Sequence, residues 1–147
     1  MKKIGNKAKY EVWLSAETMH NASREWLSEL NFVKDEQLFL DDLVVAYTLQ
    51  LIDSKHYKES KHLIEVLSAL QVETKNLIET IRAHENGLKV MVDGVDQQEE
   101  EAHYKDTHRK LILEVSAFMK RYRALKTKLF ALIKNIMKER KQKRLLQ

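Results

Sequence analysis

From residue 16 onward, non-polar positions recur at alternating intervals of three and four. The first run is Ala16, Met19, Ser23, Trp26, Leu30, Val33, Gln37, Leu40, Val44, Tyr47 and Leu51. That spacing is the seam of an amphipathic helix with coiled-coil character. It predicts a helix over 15–52, with Ser15 as N-cap and Glu17 as the acid of the first turn, although helicity could begin near Asn6. Continuing the register would place Ser54, Lys58, Lys61 and Glu65 on the seam, all of them polar. The apolar seam restarts instead as Leu63, Leu67, Leu70, Thr74, Leu77, Ile81, His84 and Leu88. A change of phase means the chain turns, with Asp53 and Ser54 supplying the cap residues, and a tight turn makes the first two helices antiparallel neighbours. The third run is Tyr104, His108, Leu111, Val115, Phe118, Tyr122, Leu125, Leu129, Leu132 and Ile136.

The second helix is expected to stop at Asn86-Gly87, where glycine can take a left-handed C′ conformation. Residues 88–95 then read as a loop whose Val and Met side chains plug the core. Asp96 and Glu99 have capping-box spacing, and Glu99, Glu100 and Glu101 suit the positive end of a helix dipole. Helices of 15–52, 55–86 and 97–146 would be about 57, 48 and 75 Å long at the usual rise per residue. The last outruns the others, and Glu139 and Lys143 take over where its seam fails. The expected fold is all-α: one domain over 1–147, an antiparallel up-down bundle of three long helices with coiled-coil-like packing. Residues 1–14 form a basic N-terminal segment and 138–147 a basic helical overhang. A four-helix bundle is the alternative, if the last helix breaks near residues 120–126 or a second protomer completes the bundle.

Composition supports that reading. Three Gly and no Pro in 147 residues leave too few turn residues for a sheet-rich or βαβ fold. With no Cys, a disulfide framework, a thiolate metal site and a thiol nucleophile are all excluded. No apolar run is long enough for a membrane span, and Met1-Lys2-Lys3 is not followed by an apolar stretch, so a cytoplasmic protein is expected. The net charge of +4 hides an asymmetry: residues 11–103 carry 8 basic and 19 acidic side chains, and residues 104–147 carry 14 basic and 3 acidic. Either the acidic helices neutralise the basic one by packing beside it, or a basic stripe faces a polyanion.

Two sets of residues stand out as candidate interaction sites. Leu38, Val45, Leu49 and Ile52 form a second apolar row on the first helix, and Phe130, Ile133 and Met137 form one on the last. A three-helix bundle needs one stripe per helix, so the surplus rows point to a homodimer or another helical protein as partner; the competing explanation is a wider core. Lys138, Arg140, Lys141, Lys143 and Arg144 are the candidate polyanion contact. They make nucleic-acid binding possible without favouring it, since no zinc-finger, helix-turn-helix or aromatic sheet motif accompanies them. Only Leu145-Leu146 could anchor the tail in a membrane, so no membrane partner is expected.

Glu-x-x-His occurs at Glu17/His20, Glu59/His62 and Glu100/His103, the spacing of di-iron carboxylate bundles. Carboxylates that could bridge two metals from mid-core are missing, and His84 and His108 read better as a polar layer that fixes register. A metal-binding bundle is therefore the second alternative, with no cofactor expected. No motif of an enzyme is present, and Asp41 and Asp42 are adjacent on a helix and point apart, so no catalytic residue is assigned.

Glu25-Trp26-Leu27-Ser28-Glu29-Leu30-Asn31-Phe32, His84-Glu85-Asn86 and the ending Glu139 to Leu146 resemble segments of uncharacterised bacterial helical-bundle proteins. The resemblance implies a helical fold and carries no activity. What remains is a non-enzymatic helical scaffold or adaptor as the expected function.

Overall fold

A computed structural model describes residues 15–93 and 98–146, which are all-helical with no strand among them. Four helices pack against one another: α1 Ala16–Ala46, the short α2 Thr48–Leu51, α3 Tyr57–Asp93 and α4 Gln98–Leu146. Ser15 caps α1 as its sequence position predicts, its Oγ accepting the Thr18 amide at 3.2 Å. No helix of the described residues is long and apolar enough to cross a membrane.

The chain divides into two compact units, and each long helix contributes a stretch to both. The first contains the described residues of Met1–Phe32 together with Lys75–Ser116. Its core is Met19, Leu30, Leu77, Ile78, Ile81, Leu88, Leu111 and Val115. Ser23 joins this apolar set at no cost in unsatisfied polarity, because its Oγ donates to the Met19 carbonyl at 2.9 Å.

The second unit contains Val33–Thr74 and the described residues from Ala117 onward. Its core runs through Val33, Leu40, Leu51, Leu63, Leu67 and Leu70 to Phe118, Tyr122, Leu125, Leu129, Leu132 and Ile136. Gln37 is buried in it with its amide satisfied: Nε2 donates to Thr74 Oγ1 at 3.0 Å, and Thr74 in turn donates to the Leu70 carbonyl at 2.7 Å. Gln71 Nε2 reaches both carboxylate oxygens of Asp41, at 2.9 and 3.0 Å. Residue numbers thus rise along α1 as they fall along α3 at these contacts.

Three expectations and one alternative are corrected. First, the helix predicted over 15–52 is interrupted at Tyr47, where φ is −111° and ψ is 19°. Next to the interruption the Thr48 hydroxyl donates to the carbonyls of Val44 and Val45, both at 2.9 Å. Second, α3 does not stop at Asn86-Gly87 but continues to Asp93, so the predicted loop begins as helix. No described glycine has positive φ, so Gly87 is not a left-handed cap. A Cβ at that position would instead collide with the ring of Tyr104, which packs onto the helix backbone there. The side chains of Val90, Met91 and Val92, and the predicted cap at Asp96, lie outside the described residues, as does the 1–14 segment. Third, α4 passes unbroken through residues 120–126, as the single last helix expected over 97–146 requires, so the alternative in which it breaks there falls. Fourth, Ile133 is 4% exposed and belongs to the core of the second unit, so it is not available to a surface row. It sits on the edge of the α4 seam, where the unit's core is wide enough to cover it.

Candidate functional site

The first unit gathers four of the six histidines with two large aromatic side chains. His84 from α3 and His108 from α4 are both buried, with His84 Nε2 3.3 Å from His108 Nδ1. Trp26 of α1 stacks on His108 at a centroid distance of 4.8 Å, and Tyr104 lies against His84 at 5.9 Å and His103 at 5.8 Å. His20 Nδ1 is 3.4 Å from Glu85 Oε1, within ion-pair range but without hydrogen-bond geometry. Burial pulls His108 down to about 4, helped by the neighbouring His84, and burial with the nearby His103 lowers His84 as well. Both rings are therefore neutral at pH 7, and one nitrogen of the facing pair donates while the other accepts. Among the described residues no three His, Asp or Glu side chains are arranged to hold a metal ion.

The second unit shows how far acidic helices neutralise the basic one. Arg121 makes a two-pronged pair with Glu73 of α3, one bond being 2.6 Å from Nη1 to Oε2. Glu36 of α1 accepts from Tyr122 Oη at 2.7 Å and lies 3.0 Å from Lys126 Nζ. Burial pushes Glu36 up, but these two donors outweigh it and hold its carboxyl below the usual value. Burial and the Glu36 hydrogen bond raise the Tyr122 phenol far above its ordinary range, so it stays protonated as a donor. Internal neutralisation is thus real for Arg121 and Lys126.

It does not extend to the end of α4. Glu139, the one acid among residues 138–144, is turned inward: Lys55 Nζ donates to Oε1 at 2.8 Å, and the buried His56 lies 3.0 Å from Oε2. Those two hydrogen bonds hold the Glu139 carboxyl below its ordinary value, and they raise the Lys55 ammonium in return. Among the described residues, Lys138, Arg140, Lys141, Lys143 and Arg144 have no carboxylate within ion-pair distance. Arg140 lies over the ring of Tyr47, 5.6 Å from its centroid. Around that contact is a hollow of about 360 Å³ lined by Tyr47, Met137, Arg140, Lys141 and Arg144, with no acid among the described residues of its wall. A second hollow of about 250 Å³ shares Arg140 and Arg144 but also contains Asp53 and Glu139.

Of the five predicted basic residues, Arg140, Lys141 and Arg144 line the larger hollow, Lys143 lines only the smaller one and Lys138 lines neither, and Tyr47 is the member that sequence reasoning missed. It was read only as a seam residue of the first helix. A signal existed: Tyr47 stands directly before a threonine that can disturb the helix, at the end of a seam.

The surplus apolar rows are placed differently from each other. Leu38, Val45, Leu49 and Ile52 are 62%, 72%, 78% and 58% exposed, and Phe130 and Met137 are 42% and 52% exposed. Successive helical residues turn through about 100°. Leu38 and Val45 then lie within about 60° of Asp41, which faces α3, and about 160–180° from Glu36, which faces α4. Phe130 and Met137 lie within about 40° of Lys126, which faces α1. The two rows border different helix–helix seams and do not form one continuous face. No protein-family profile matches the chain, and comparison with curated proteins and with solved structures returns no match.

Proposed function

We propose that this chain is a non-enzymatic helical scaffold, an antiparallel up-down bundle of three long helices with coiled-coil-like packing that associates with a second copy of itself. The exposed row Leu38, Val45 and Ile52, with Leu49 beside it, carries this reading. Leu38 and Val45 stand one heptad apart on α1, the spacing of a helix seam, and Leu49 and Ile52 extend the apolar surface beyond the interruption at Tyr47, so the surface suits another helix. Wild-type protein is expected to sediment as a dimer at tens of micromolar, and Val45→Glu with Leu49→Glu is expected to weaken dimerisation about 100-fold, as loss of two buried aliphatic contacts implies. Far-ultraviolet circular dichroism of the variant should match wild type. A wild-type monomer at that concentration would refute self-association.

A second reading is favoured by the unpaired cations of residues 138–144: sequence-independent nucleic-acid binding through α4. Contacts of this kind release counterions and weaken steeply with salt. Retention on heparin at low salt should disappear when residues 138–147 are deleted, and wild-type protein that passes straight through the column at low salt would end this reading.

A further inference from the structure

We propose that the hollow between Tyr47 and the end of α4 is a nucleotide site, binding the phosphate and base of a free nucleotide or of one unit in a single strand. The proposal deepens the second reading above, and it can fail separately from it. Three features of the wall converge on this chemistry. Arg140, Lys141 and Arg144 face one hollow of about 360 Å³ with no carboxylate among the described residues that line it, a setting that favours an anion. Glu139, the acid of their own helix turn, is engaged by Lys55 and His56, and among the described residues none of the three cations has a carboxylate within ion-pair distance. The rest of the wall is a tyrosine ring and a thioether, which suit a flat, weakly polar body rather than a bare inorganic ion. Tyr47 stands at the interruption between α1 and α2, and the Arg140 guanidinium over its ring adds a second planar surface. A nucleotide joins these requirements in one molecule: phosphate oxygens for the fork of Arg140 and Arg144, and a base to stack on the guanidinium–tyrosine pair. The neighbouring hollow of about 250 Å³, with Asp53 and Glu139 in its wall, lacks the first of these properties.

The intact protein is titrated at about 50 mM salt with ATP and, separately, with a labelled single-stranded oligothymidylate of about 12 nucleotides. Two variants alter the hollow: Arg140→Gln with Lys141→Gln and Arg144→Gln, and Met137→Glu, which adds an acid at an exposed position. Lys110→Gln with Lys120→Gln and Lys128→Gln removes the same charge from exposed positions elsewhere on α4. Both hollow variants are expected to weaken binding by about 10-fold or more, and the control triple by only about 2-fold. Binding of ATP with that pattern identifies a free nucleotide as ligand; binding of the oligothymidylate alone identifies a unit within a strand. Equal losses in the control triple, or an unchanged affinity in Met137→Glu, overturn the site while leaving diffuse binding by the basic helix standing. Failure of both probes to bind overturns the site whatever heparin shows. ATP binding with the predicted pattern and no heparin retention removes the nucleic-acid reading and leaves the site.

Discussion

Tyr122→Ala should cost about 4 kcal/mol of folding free energy, among the largest losses any single truncation in this chain can produce. The ring is 1% exposed and stacks parallel to Phe118 at 6.0 Å, so its removal leaves a cavity in the middle of the second unit's core. Its hydroxyl is also one of the two donors to Glu36, and Lys126 sits over its ring at 4.9 Å. Tyr122→Phe separates these contributions. It keeps the packed ring and removes one hydrogen bond to a carboxylate that retains Lys126, so about 1–2 kcal/mol should be lost. Guanidinium denaturation followed by circular dichroism measures both. A loss below about 1 kcal/mol for the alanine variant would contradict the burial of this ring.

Acidification from pH 7 should weaken the fold through the buried histidines. His108 is held at about 4 when folded and returns to its ordinary value of 6.5 when unfolded. The unfolded chain therefore binds more protons between those values, and stability falls as pH falls. The contribution is fully present above pH 6.5, is lost progressively toward pH 4, and amounts to about 3 kcal/mol for His108 alone. His84 shifts in the same direction and adds to the loss. The chief structural reason is the burial of both rings, which penalises their charged forms, and the facing ring nitrogens 3.3 Å apart add to it: once both rings are protonated, two N–H donors point at each other. Denaturation midpoints at pH 7, 6 and 5 should decline steadily, and His108→Asn should flatten that decline while lowering stability at pH 7. Equal midpoints from pH 7 to pH 5 would show that the pair stays solvated.

The long-range layout was legible because it depends on a period. Leu63, Leu67, Leu70, Thr74, Leu77, Ile81, His84 and Leu88 were placed on one seam by spacing alone, and all eight are buried. The same holds on α4 from His108 to Ile136. What escaped depends on contacts between residues far apart in sequence. Gly87 looked like a helix terminator because local chemistry gives glycine that role, whereas the reason it is there is Tyr104. Ile133 was assigned to a surface row because it is one position off the seam, and the width of a core is not written in periodicity. At the candidate site the cations were visible as a charge run. The alignment of Tyr47 with them, and the diversion of Glu139 to Lys55 and His56, needed the partners to be brought together in space.

Gly87 has a further meaning for how this chain can vary. Glycine inside a helix costs about 1 kcal/mol relative to alanine, so drift would ordinarily replace it. Here the methyl of alanine would occupy the volume of the Tyr104 ring end, and the ring would have to leave its place against His84. Positions 87 and 104 are therefore coupled: a bulkier residue at the first displaces the ring end at the second, and a smaller residue at 104 relieves that displacement, although the two stand 17 positions apart in the sequence.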